Sequence, residues 1–501
     1  MMTQLTNWTT ELRYQPYQSW SPEYIKNLLS KVQQSDWRLA YHIQPQSGLL
    51  NDPNGFSYFN NQWHLFYQAF PYGPVHGIKS WVHMISDDLV HWNYQGIPLL
   101  PDSQNDSHGV YSGSALPIDD KLFLMYTGNI RNHEWERKAL QLGAWMNQEN
   151  QVTKIETPLI LTDTERYTQN FRDPQLFSYE DSYLAIIGAQ DTELQGKIAV
   201  FESTNLTDWQ WLGNLTYTDL PMGFMVECPN LVFIENQPVL LFCPQGLATS
   251  DLSYQNIYPN TYILGSSFTK KTLTIEDATT LRNLDEGFDV YATQAFNAPD
   301  GRALCVSWIG LPEIDYPTYE EGWLHCLSLV KELTIKDGEL YQYPVQELKK
   351  LRTNQRSFSG KLAKNEQELI SNTSFTYEAE LKLPKNEIGE LKLFADSLIN
   401  QYLRLYFDTV SGKLTVDRSK SGVPFAEEFG VTREIDLPSH TELTLTIFVD
   451  HSVCEIFINH GFKVITLRLF PDETQTSLLI SGINSGEYRG EIWELNRSLT
   501  P

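Results

Sequence analysis

Cysteine is scarce in this chain of 501 residues: there are five, Cys228, Cys243, Cys305, Cys326 and Cys454, widely spaced among apolar neighbours. An odd, scattered set argues against a disulfide framework and reads as reduced thiols in a cytoplasm. Long apolar runs are also missing, and no stretch reaches the ~20 residues that a membrane-spanning helix needs. The opening MMTQLTNWTTELRYQPYQSW has no basic start followed by an apolar run, so no secretory leader is expected. Positive charge is in short supply: 37 Lys and Arg against 62 Asp and Glu leave a formal charge of −25. A surface of that sign repels polyanions, which removes nucleic acid from the expected partners. Because the Debye length is only ~8 Å at physiological salt, a small basic pocket can still exist within that field. The signatures HExxH, CxxC, P-loop and GxSxG do not occur, and no closely spaced run of oxygen ligands suggests calcium. No metal and no cofactor are expected.

Aromatic residues are plentiful. The 13 Trp, 26 Tyr and 24 Phe suit β-rich architecture and surfaces on which sugars stack. Ser21-Pro22 followed by Ile25, Leu28, Leu29 and Val32 predicts one short amphipathic helix with an N-cap and a first-turn proline. From about residue 38, short strands separated by Gly, Asn, Asp and Pro take over. Polar turns lead into apolar strands at NQWHLFYQ (61–68), DKLFLMYTG (120–128), DSYLAIIGAQ (181–190), NQPVLLFCPQG (236–246) and GRALCVSWIG (301–310). A second strand with a distinctive opening precedes each: NDPNGF, YSGSAL, FRDPQLF, ECPNLVF and YATQAF. SDDLVHW (86–92) and STNLTDW (203–209) echo one another. Five such units of ~60 residues predict an all-β, five-bladed β-propeller, in which the five openings converge on one channel. The expected division is a helical extension (1–37), the propeller (38–345), a linker (346–360) and a C-terminal β-sandwich (361–501) that covers apolar edges.

Three acids stand at these openings, each within two residues of a proline: Asp52, Asp173 and Glu227. Singly each is an ordinary turn or strand-cap acid. Together in one channel they raise one another's pKa, an arrangement usual for catalysis or metal binding. Glycoside hydrolysis needs two carboxyl groups flanking the bond, one ionised and one protonated, while a third can oppose an oxocarbenium-like charge.

The run YHIQPQSGLLNDPNGF, with FYQ (66–68), SWVHMISDDLVHW (80–92), YSGSA (111–115), YTGN (126–129), FRDPQ, ECPN, GFDVYATQ (287–294) and GWLHCLSLVKEL (322–333), resembles glycoside hydrolase family 32. The likeness is greatest to bacterial members that act on sucrose 6-phosphate. It implies a five-bladed propeller plus β-sandwich and retaining cleavage of the fructosyl bond of sucrose 6-phosphate or sucrose. Carried over, it makes Asp52 the nucleophile, Glu227 the acid/base and Asp173 the transition-state stabiliser, with Asn51, Gln68, Trp81, Tyr111, Ser112 and Arg172 around the fructosyl unit. Arg172 could equally hold Asp173 ionised through a bidentate pair. Leu49 and Leu50 stand where many members have Trp-Met, and His76 stands where a tryptophan is usual. In HGIKSW, Lys79 is expected on a loop at the mouth with His76 and Arg131, a candidate basic patch for phosphate. The alternatives are a fructan hydrolase and a sugar-binding propeller without turnover.

Overall fold

The computed structural model describes residues 7–396 and 398–499. The predicted helix spans Pro22–Val32, and the Ser21 hydroxyl accepts the Tyr24 N–H at 3.2 Å. Its apolar face, through Leu28 and Val32, docks against Ile309 and Trp323. Beyond the short helical turns the chain is strand and loop, so the all-β class holds. Among the described residues no helix is long and apolar enough to cross a membrane.

Between residues 48 and 344 five sheets of four or five strands follow in chain order, with a two-stranded ribbon at 267–276. Their lead strands are Gly48–Phe59, Val110–Ile118, Tyr167–Tyr179, Met225–Ile234 and Val290–Asn297. Each pairs antiparallel with the apolar strand that follows it. The parallel pair Gly48–Trp323 and Leu49–Leu324 ties the end of this region to its first sheet. The SxxLxxW echo is visible atom for atom. Leu89 and Leu206 share a left-handed φ of 65°, and the indoles of Trp92 and Trp209 donate to their carbonyls at 3.1 Å.

Every lead strand slips register at a corresponding place, Leu50/Pro53, Val110/Gly113, Arg172/Gln175, Glu227/Asn230 and Tyr291/Gln294, and the first and third slip a second time, at Asn54/Ser57 and Tyr167/Phe171. Such bulges free backbone groups from the ladder, and a buried polar residue follows each of the five corresponding ones: Asn54, Ser114, Gln175, Asn230 and Gln294. Asn54 accepts the Gly113 N–H at 2.8 Å, and Ser114 accepts that of Leu176 at 2.8 Å. Gln175 accepts from Leu231 at 2.7 Å, and Asn230 accepts from Ala295 at 3.1 Å. Gln294 accepts from Phe56 at 2.7 Å, which returns the series to the first sheet.

The remainder forms two six-stranded antiparallel sheets around one core that includes Leu403, Leu405, Leu445, Ile456 and Ile480. Strand Gln401–Asp408 alternates buried and part-exposed positions, as a sheet with one covered face requires. The stretch read as a linker is structured. Gln346–Leu351 is a 3-10 turn, and Arg352–Lys361 pairs along Glu487–Leu495. Phe448, Phe457 and Val464 of these sheets share a core with Leu304 and Val306 of the fifth sheet. Beside it, His42 bridges Asp450 at 2.9 Å and Glu455 at 3.0 Å, all three side chains fully buried. All five cysteines are buried and unpaired.

Candidate active site

The register slips rotate successive side chains of the lead strands toward one another. Asp173 and Cys228 take left-handed φ values of 66° and 49° at these bulges, a strained backbone for residues with a Cβ. The Cys228 N–H donates to Asp173 Oδ2 at 3.1 Å, and its thiol lies 3.6 Å from Asp173 and 3.8 Å from Asp52. Asp52 and Asp173 therefore face one space.

Asp52 is supplied with donors. Asn51 Nδ2 reaches Oδ1 at 3.1 Å, Gln68 Nε2 reaches Oδ2 at 3.3 Å, and the Ser112 hydroxyl makes a short hydrogen bond to Oδ2. Burial raises its pKa and the Glu227 charge adds to that rise. The Ser112 and Asn51 hydrogen bonds and the Lys79 charge work the other way. Asp173 is pushed up to about 7, first by burial and then by Glu227 and Asp52, against the Arg172 charge. Glu227 is held at both oxygens. Arg172 Nε and Nη2 donate to Oε1 at 2.9 and 2.6 Å, while Gln245 and the Tyr291 hydroxyl donate to Oε2 at 2.6 and 2.7 Å.

The anticipated neighbours divide. Asn51, Gln68 and Ser112 gather on Asp52, and Asn51 also donates to Gln68 at 3.0 Å. Arg172 grips Glu227, so the anticipated bidentate pair with Asp173 is not formed. Trp81 is fully enclosed; its indole donates to the Tyr111 carbonyl at 3.1 Å, which makes it a support behind Tyr111 and Ser112 rather than a sugar-facing surface. Tyr111 is half-buried, and its hydroxyl accepts from Asn129 at 3.3 Å. Lys79 does not stand in solvent at the rim. It is buried, its Nζ has no hydrogen-bond partner, and burial lowers it to about 7 despite the Asp52 charge. His76 is open to solvent and sits edge-on to Trp308 at 6.2 Å. Arg131 is half-buried and donates to the Trp135 carbonyl at 2.8 Å.

Tyr291 and Gln245 were not anticipated. Counting back three residues from Asn54, Ser114, Gln175, Asn230 and Gln294 gives Asn51, Tyr111, Arg172, Glu227 and Tyr291. Aligning the five units on that polar residue would have picked out Tyr291. Gln245 ends the second strand of its sheet, and Gln68 lies near the end of the same strand in the first sheet; each donates to a carboxylate of the site. Among the described residues, the ligand atoms of Asp52, Asp173 and Cys228 lie within 4.8 Å of one another, close enough to hold a cation. Positive charge is already supplied there by Lys79 and Arg172.

The family described as "Glycosyl hydrolases family 32 N-terminal domain" matches residues 42–344, and "Glycosyl hydrolases family 32 C terminal" matches 347–494. The chain is 46% identical over 491 residues to a sucrose-6-phosphate hydrolase of Pediococcus pentosaceus, covering 98% of this chain and 97% of the relative. It is 47% identical to one from Streptococcus mutans, covering 96% and 99%. The solved sucrose-6-phosphate hydrolase of Lactobacillus gasseri superposes with a TM-score of 0.94 at 45% identity, over 98% of this chain and 100% of that one. A Bombyx mori GH32 beta-fructofuranosidase mutant in complex with sucrose superposes at 0.83 with 27% identity, over 96% and 98%.

Proposed function

The chain belongs to glycosyl hydrolase family 32, and from that premise we propose that it is a cytoplasmic, retaining β-fructofuranosidase that hydrolyses sucrose 6-phosphate and, less efficiently, sucrose. The observation that carries this reading is the convergence of three carboxylates, Asp52, Asp173 and Glu227, close enough for their charges to act on one another, with Asn51, Gln68 and Ser112 on Asp52 and Arg172, Gln245 and Tyr291 on Glu227. At Asp52 the Ser112 and Asn51 hydrogen bonds and the Lys79 charge work against the burial that raises its pKa, and so support the ionised form that a nucleophile needs. Asp52 attacks the anomeric carbon of the fructosyl unit as Glu227 gives a proton to the departing oxygen, which releases glucose 6-phosphate. Water then opens the fructosyl–Asp52 ester as Glu227 takes its proton back. Retention requires the two carboxyl groups to act ~5–5.5 Å apart. Asp173 opposes the positive charge that develops on the ring, and Asn51, Gln68, Tyr111, Ser112 and Arg172 orient the sugar.

We read the five sheets as blades of a propeller closed by the Asn54-to-Gln294 series of hydrogen bonds. The two six-stranded sheets form a β-sandwich, with the division near residue 345. Of the three basic residues expected at the mouth, Arg131 supplies positive charge on the leaving-group side of this reading; Lys79 is enclosed near Asp52, and desolvation in the pocket with the neighbouring Lys79 charge pushes His76 well below its usual value, which leaves it neutral. The test is fructose release from sucrose 6-phosphate, sucrose and inulin. The highest kcat/KM is expected on sucrose 6-phosphate. Preference for inulin would move the enzyme to the fructan hydrolases, and no fructose from any of them would make it a binding protein.

A further inference from the structure

The pocket contains a cation that the mechanism above does not use. Arg137 opens strand Arg137–Met146 and lies directly opposite Arg131 in the antiparallel ladder, so one hairpin presents both guanidinium groups. Arg137 is half-buried, with its guanidinium 5.7 Å from the Tyr111 ring centre. Arg172, Arg131 and Glu227 are near enough for their charges to act on it. Among the described residues its guanidinium makes no ion pair and no hydrogen bond. An arginine drawn partly out of water without a carboxylate is unusual, because the loss of hydration is not returned. Arg131 beside it has a buried Nε that also lacks a partner. This corner is walled by the N-terminal segment: the Tyr14 ring packs edge-on to Trp135 at 5.0 Å and lies 5.9 Å from His108. The Arg13 carbonyl accepts the Ile78 N–H at 2.8 Å, which fastens that segment beside Lys79.

We propose that Arg137, with Arg131 and the wall formed by Tyr14, is the subsite that holds the phosphate of the leaving group. The proposal rests on sucrose 6-phosphate being the substrate. Two guanidinium forks set side by side suit a dianion, since each can give paired N–H donors to phosphate oxygens. The unpaired state of Arg137 then follows from its role, as its partner arrives with the substrate. Tyr14 excludes water from the same corner, which strengthens the attraction.

The test uses glucose 6-phosphate and glucose as inhibitors of sucrose hydrolysis, a readout that does not depend on turnover of the phosphorylated substrate. The wild-type enzyme should bind glucose 6-phosphate at least tenfold more tightly than glucose. Arg137→Ala should lose most of that advantage, Arg137→Lys should keep part of it, and Tyr14→Ala should weaken it. If the wild-type enzyme does not distinguish the two sugars, the phosphorylated-substrate reading itself fails. If it does and both Arg137 variants keep the full preference, the phosphate is read elsewhere and this subsite is overturned. Thermal unfolding of each variant identifies a misfolded one, in which case the Arg137→Lys and Tyr14→Ala results decide.

Discussion

Asp173 is kept where a carboxylate is poorly solvated. Burial, Glu227 and Asp52 raise it to about 7, whereas an unfolded chain would release its proton near 3.8. The folded state therefore holds this proton more tightly, and stability falls as pH rises from about 4 to about 7. Asp173→Asn lacks that loss. It should be more stable than wild type by about 1–3 kcal/mol at pH 7 and not at pH 4, while losing nearly all activity. Urea unfolding at the two pH values checks this, and equal stabilities at both would show that the carboxylate carries no such penalty. At this scale the three acids were easier to find in the sequence than what surrounds them. Lys79 and Trp81 occupy motif positions, yet the depth of each depends on strands far away in the chain, and local pattern carries no information about depth. Both turned out to be enclosed.

The bulged lead strand is the element on which the site depends. Gln294 satisfies the Phe56 N–H at 2.7 Å and donates to the Gly113 carbonyl at 2.8 Å, so one side chain links three lead strands. Replacing it with leucine leaves two buried backbone groups unpaired, at about 1–3 kcal/mol each. Gln294→Leu should lower unfolding stability by roughly 2–5 kcal/mol and reduce kcat, since Asp52 and Ser112 stand on the strands it joins. A variant with unchanged denaturation midpoint and kcat would show that the strands hold their places without it. The strands themselves were legible: the apolar segments at 61–68, 120–128, 181–190, 236–246 and 301–310 each coincide with the second strand of a sheet. The bulges were not, because a register slip depends on the partner strand, which sequence periodicity does not name. Tyr291 escaped notice for the same reason, although it sits in the quoted GFDVYATQ segment.

Across the whole molecule, the two parts of the chain meet through buried charge as well as apolar packing. Burial disfavours a charged His42, but the hydrogen bonds that it donates to Asp450 and Glu455 outweigh it and raise the imidazole to about 9. That contribution is complete below the unfolded value near 6.5 and is lost as pH rises through about 9. His42→Gln leaves two carboxylates without their cation and should cost about 3–5 kcal/mol at pH 6, with the deficit shrinking above pH 9. Thermal unfolding at pH 6 and 9.5 measures it, and a deficit independent of pH would mean that His42 acts by shape alone. Composition and motif order anticipated the all-β class, whereas the pairing of His42 with acids more than 400 residues away belongs to tertiary structure alone. The account as a whole stands on a double displacement at Asp52. Its most direct test is the anomeric form of the fructose first released, followed by NMR before the anomers equilibrate. Retention predicts β-fructofuranose as the initial product, and α-fructofuranose appearing first would contradict the mechanism.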